Sequence, residues 1–328
     1  VDVWNRLDAA HQSVLRAIPE DFLDLTDIPG TRARFEEMSI VRARHAPPRP
    51  DDLTMEDHWA PGRDSFPDVM VRIYRPAGLP SSAPTLYWVH GGGMVLGNVT
   101  QDDDYCIGLA HRLGILVASV EYRVAPEHPF PAPVEDCYTG LLWLARKAAD
   151  LGVDPDRIAV GGASAGGGLA AGLTLLARDR GEIPVCFQFL VFPMLDDRNI
   201  TRSSREIVDP RLWNRTANEL GWNAYLAGRA GADGISPYAA PARAGDLAGL
   251  PPTYINVGDL DLFVDEDVAY AARLLEAGVP TELHVYPGAF HGSNNMVSRS
   301  ALSRRWKADE RAALARALHG SDPDVSAE

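Results

Sequence analysis

The chain has 328 residues, 46% hydrophobic and 23% charged, which suffices for a large core and argues against wholesale disorder. Acidic residues number 45 against 31 Lys plus Arg, a formal charge of −14, so phosphate backbones repel it and nucleic acid is not an expected partner. Three scattered cysteines (Cys106, Cys137 and Cys186) without C-x-x-C spacing argue against a disulfide framework or a metal site and for a reducing compartment, with the cytoplasm expected.

Residues 1–45 carry amphipathic helical patterns with a break at Asp27–Gly30, and the proline-rich stretch Ala46–Asp52 stops any helix. The first residues lack the basic start and apolar stretch of a signal peptide. No run approaches the ~20 apolar residues of a membrane span. "DVMVRIYRP" (68–76) alternates as an early strand with one partly solvated face. Short apolar runs follow at 85–90, 115–122, 157–164, 185–193, 252–258 and 281–288. Helical patterns lie between most of them, at 103–113, 133–151, 165–180 and 265–277. This alternation predicts a parallel sheet covered on both faces.

From Met194 to Leu250 no strand pattern occurs, yet "LWNRTANELGWNAYLAG" (212–228) spaces Trp, Tyr and Leu as a helix does. A connection of that length predicts a lid or inserted subdomain. A last helix is expected at 298–318, followed by a polar tail. Its basic cluster Ser303–Lys307, with Asp309 and Glu310 beside it, reads as a solvated face.

Three segments carry chemistry. Gly162-Ala163-Ser164-Ala165-Gly166 is a G-x-S-x-G pentapeptide where the strand pattern 157–164 meets a small-residue helix. Such a serine is forced onto a sharp turn and projects from the carboxyl edge of the sheet, facing the positive end of the next helix. A serine hydroxyl needs a base. His291, in the loop after the last strand pattern, is at the same edge, whereas His284 falls inside that strand. The acid belongs after the penultimate strand, where "GDLDLFVDED" offers Asp259, Asp261, Asp265 and Asp267. Asp265 and Asp267 fall at a helix start, where they stabilise its N-terminus. Loop geometry does not separate Asp259 from Asp261. "HGGGM" (90–94), directly after an apolar strand, supplies bare backbone. Gly92 and Gly93, with Ala165 at the helix start, offer N–H groups to an oxyanion.

The segments 90–97, 120–136, 161–170, 259–266 and 286–292, in this order and spacing, resemble the hormone-sensitive-lipase-like carboxylesterases of the α/β-hydrolase fold. The resemblance implies a mostly parallel eight-stranded sheet with helices on both faces and a helical cap. It implies Ser164 as nucleophile, His291 as base, and Gly92, Gly93 and Ala165 as oxyanion hole, with His90 structural. It selects Asp261 as the acid, with Asp259 as fallback. The domain reading is a cap segment 1–45, a core in two parts (46–196 and 236–328) and a cap insertion 197–235. Met94 and Leu262, where the chain departs from the family's usual residues, and Trp213 in the insertion are the expected substrate contacts.

The implied activity is hydrolysis of short- to medium-chain acyl esters, a small-molecule substrate, with no cofactor or metal. A homodimer is expected by the same resemblance. The rival readings are an amidase or deacetylase on the same triad and a non-catalytic small-molecule receptor, the latter disfavoured by the presence of His291.

Overall fold

The computed structural model describes residues 3–45, 48–63 and 66–320. The expected tail at 321–328 lies outside these residues. Eight strands form one sheet: β1 Leu53–Ala60, β2 Val69–Pro76, β3 Ala83–Val89, β4 Leu116–Glu121, β5 Val153–Ala163, β6 Phe187–Val191, β7 Thr253–Gly258 and β8 Thr281–Tyr286. Their order is β1-β2-β4-β3-β5-β6-β7-β8. β1, β2 and β4 pair antiparallel, and β4, β3, β5, β6, β7 and β8 run parallel.

The helices are α1 Ala9–Ala17, α2 Ile28–His45, α3 Asp103–Leu113, α4 Ala132–Arg146, α5 Ala148–Leu151, α6 Ala165–Arg180, α7 Arg202–Glu206, α8 Arg215–Tyr225, α9 Val264–Glu276, α10 Ser293–Met296 and α11 Ala301–His319. Central strands such as β3 are buried on both faces, which explains their unbroken apolar runs. Tyr87 and Val89 join one core layer with α4 and α6, while Leu86 and Trp88 join the other with α3 and α11.

Three expectations need correction, and one strand was not anticipated. The helix break is not at Asp27–Gly30: α2 begins at Ile28, and the Asp27 carboxylate accepts a hydrogen bond from Gly30 N (3.0 Å). Pro29 sits in the first turn of α2, where a missing N–H costs nothing. The predicted helix 133–151 is two helices, α4 and α5. β1 carries no clear strand pattern because "LTMEDHWA" is an edge strand in which four of eight residues are exposed and only Ala60 is buried. Finally, Glu310 is not on a solvated face; it is 1% exposed.

The long connection 194–250 contains α7 and α8, and the short turn Leu25–Asp27 packs on α8. Arg32 of α2 donates to Val95 O (2.8 Å) and Ala125 O (2.7 Å), so the N-terminal segment is tied to the loops after β3 and β4.

Candidate active site

β5 ends at Ala163 and α6 starts at Ala165, so Ser164 alone makes the turn. Its φ of 59° and ψ of −123° are strained for a residue with a side chain. Backbone bonds hold it there: Ser164 N donates to Val191 O (2.9 Å), and Ser164 O accepts from Gly168 N and Met194 N (3.0 Å each). A Cβ on Gly166 would lie 2.1 Å from Val89 O and 2.4 Å from His90 O. The glycine therefore lets α6 press directly on the end of β3.

His291 lies in the loop after β8, at the same carboxyl edge. Its Nε2 is 2.9 Å from Ser164 Oγ, and its Nδ1 is 2.8 Å from Asp261 Oδ2. Asp261 is fully buried, and its other oxygen accepts from Phe263 N (3.0 Å). The imidazole is flanked edge-on by Phe192 (4.8 Å between ring centres) and Phe263 (5.2 Å). Phe192 was not singled out in the sequence; at the end of an apolar strand run it looks like ordinary core.

The other acids of the loop have different partners. Asp259 accepts from Arg6 Nη2 (2.7 Å) and Gly288 N (2.6 Å), so it fastens the N-terminal segment and the end of β8. Asp265 accepts from Ser203 N (2.7 Å) and so caps α7 rather than its own helix. Asp267 is buried, and neither of its oxygens has a hydrogen-bond partner among the described residues. Burial first, then the neighbouring Glu266 and Asp261, push its carboxyl well above the usual range.

His90 is buried with Nδ1 2.8 Å from Gly91 O, and its ring stacks on Tyr122 at 4.2 Å. Burial lowers its pKa to about 4, so it is neutral and structural. His284, on β8, is bonded to Glu282 (2.7 Å).

The glycine loop bends through φ values of 125° at Gly92 and 61° at Gly93, which favour glycine. Neither amide has a backbone acceptor among the described residues. The N–H of Ala165, first in α6, has no partner within its helix. Trp213 covers the loop: a Cβ on Gly93 would lie 2.0 Å from its Cη2 atom. The indole is fixed by a 3.0 Å bond from Nε1 to Asn218 Oδ1. Met94 is fully buried, with its methyl group toward Gly168, and Leu262 is fully buried, its carbonyl accepting from Ser203 Oγ (2.7 Å). Among the described residues no group of three or more His, Cys, Asp or Glu is placed to hold a metal ion.

Chemically, this is a hydroxyl facing a base whose far nitrogen faces a buried carboxylate, beside bare amides. A profile of a family with the alpha/beta hydrolase fold matches residues 86–294. The chain is 36% identical over 306 residues to carboxylesterase NlhH of Mycobacterium tuberculosis, covering 90% of this chain and 94% of the relative. A solved bacterial heroin esterase superposes with a TM-score of 0.91 at 45% identity, over 96% of this chain and 99% of that one. A hyperthermophilic esterase of Pyrobaculum calidifontis gives 0.85 at 35% identity, over 94% and 98%.

Proposed function

Since this chain belongs to the α/β-hydrolase-fold family, in its hormone-sensitive-lipase-like carboxylesterase branch, we propose that it hydrolyses short- to medium-chain acyl esters of small molecules through Ser164, His291 and Asp261. The observation that carries this reading is the unbroken contact from Asp261 Oδ2 to His291 Nδ1 (2.8 Å) and from His291 Nε2 to Ser164 Oγ (2.9 Å).

His291 starts neutral with its proton on Nδ1, donating to Asp261. Nε2 takes the proton from Ser164 Oγ as that oxygen attacks the ester carbonyl. The carbonyl oxygen gains negative charge and turns toward the amides of Gly92, Gly93 and Ala165. The imidazolium then gives its proton to the leaving alcohol, and an acyl-serine remains. Water, deprotonated by the same Nε2, attacks that acyl group and returns Ser164 and the carboxylic acid. Asp261, excluded from water, holds the tautomer and steadies the cation. The described residues of 1–45 and 197–235 act as a cap over a core formed by the described residues of 46–196 and 236–328, with Trp213, Met94 and Leu262 bounding the substrate.

The test is turnover of p-nitrophenyl acetate and its longer acyl homologues. Wild type cleaves them, with a maximum in the short to medium range, and Ser164→Ala abolishes cleavage while circular dichroism is unchanged. Wild-type turnover in that variant ends the reading. A matched anilide hydrolysed faster than the ester makes the enzyme an amidase.

A further inference from the structure

The loop bearing His291 has a second anchor, remote in sequence. After His291 and Gly292 the chain enters the short turn α10, where Asn294 is fully buried. Asn294 Nδ2 donates to Glu310 Oε1 (3.4 Å), and Asn256 Nδ2 of β7 donates to the same oxygen (3.1 Å). The other carboxylate oxygen accepts from Tyr105 Oη of α3 (3.2 Å). A side chain of α11 that is 1% exposed thus gathers three elements. β7 leads into the Asp261 loop, α3 comes after the glycine loop in the chain, and α10 follows His291.

We propose that Glu310 is a positioning residue for the reaction, holding the turn behind His291 so that the imidazole sits between Ser164 and Asp261. This rests on the reading of Ser164, His291 and Asp261 as the catalytic groups.

The physical reason lies in the asparagines. Asn294 Oδ1 and Asn256 Oδ1 are buried and have no hydrogen-bond partner among the described residues. Glu310 supplies an acceptor to the amide end of each. Without it neither end of the buried Asn294 side chain, three positions from His291, has a hydrogen-bond partner among the described residues. An unpaired buried amide repacks until it finds one. The turn then shifts, and a displacement of about 1 Å at a catalytic group costs roughly 10²-fold in rate.

Shape rather than charge is what the site asks for. A glutamine at 310 keeps every link: its Oε1 accepts from both asparagines and its Nε2 donates to the Tyr105 oxygen. Alanine keeps none.

The experiment is steady-state kinetics on p-nitrophenyl acetate for Glu310→Ala, Glu310→Gln, Asn294→Ala and the double variant Glu310→Ala/Asn294→Ala, with Ser164→Ala as control. The expected result is a kcat lowered about tenfold or more in both alanine variants, with KM within about twofold. The double variant is no worse than either single one, because both break one connection. Glu310→Gln restores kcat to within about threefold of wild type. Wild-type kcat in Glu310→Ala, equal losses in the alanine and glutamine variants, or additive losses in the double variant each overturn the proposal. If Glu310→Ala does not fold, Asn294→Ala against Glu310→Gln decides by the same criteria. A failure of the catalytic reading looks different: turnover survives in Ser164→Ala.

Discussion

Replacing Asp261 by Asn tests the acid assignment against its neighbour Asp259. Asp261 is fully buried and contacts His291 Nδ1 at 2.8 Å and Phe263 N at 3.0 Å. An asparagine keeps its oxygen on Phe263 N, which leaves its NH₂ group facing Nδ1. The imidazole then places its proton on Nε2, toward Ser164, and can no longer accept the hydroxyl proton. A wrong tautomer of this kind lowers kcat by ~10⁴, about 5 kcal/mol of transition-state stabilisation. Asp259 contacts Arg6 and Gly288 N, in a pair whose side chains are 41% and 25% exposed. Such a pair contributes at most about 1 kcal/mol, so Asp259→Asn changes kcat by less than about fivefold. The assay is kcat for both variants on p-nitrophenyl acetate with matched circular dichroism. A larger loss in Asp259→Asn, or an Asp261→Asn enzyme within tenfold of wild type, refutes the reasoning.

Gly93→Ala forces a methyl group into the Trp213 ring at a positive φ, and kcat falls by ~10²-fold through the displaced amide; adding Trp213→Ala recovers part of that loss. Asp136, 2% exposed at its side chain, accepts from Arg123 N, Nε and Nη2 (2.9, 2.8 and 2.7 Å), so Arg123→Ala leaves a buried carboxylate with one donor and lowers stability by about 3 kcal/mol in urea unfolding. Burial raises Glu310 from 4.5 to about 7. The folded carboxyl therefore keeps a proton that the unfolded chain has released, and its contribution to stability is lost as pH rises through that window. At 1.36 kcal/mol per pH unit the effect reaches about 3 kcal/mol, and it disappears in Glu310→Gln when urea midpoints at pH 5 and pH 8 are compared.

Much of the sheet was legible because its central strands are covered on both faces, which writes them as short apolar runs between helical patterns. β1 was not, since a half-exposed edge strand containing Glu56, Asp57 and His58 has no face that must be apolar. The meeting of Ser164 and His291 was legible because local rules place each at the carboxyl edge: a glycine-flanked turn for one, a loop after the last strand for the other. The two loop aspartates are two residues apart, and only side-chain direction distinguishes them. Asp261 turns toward the imidazole, and Asp259 turns out toward Arg6. Glu310 was misread because α11 is charged on most sides, and nothing within a helical window tells that one acid faces Asn256 and Asn294. Those partners lie 54 and 16 residues away, beyond any periodicity.

The most direct measurement of the central claim is the site of covalent labelling by a p-nitrophenyl phosphonate, read by intact mass and peptide mapping. One phosphonyl group per chain on Ser164, formed with loss of esterase activity and blocked in His291→Ala, is the predicted result. Labelling at another residue, or full activity in a protein stoichiometrically modified at Ser164, contradicts it.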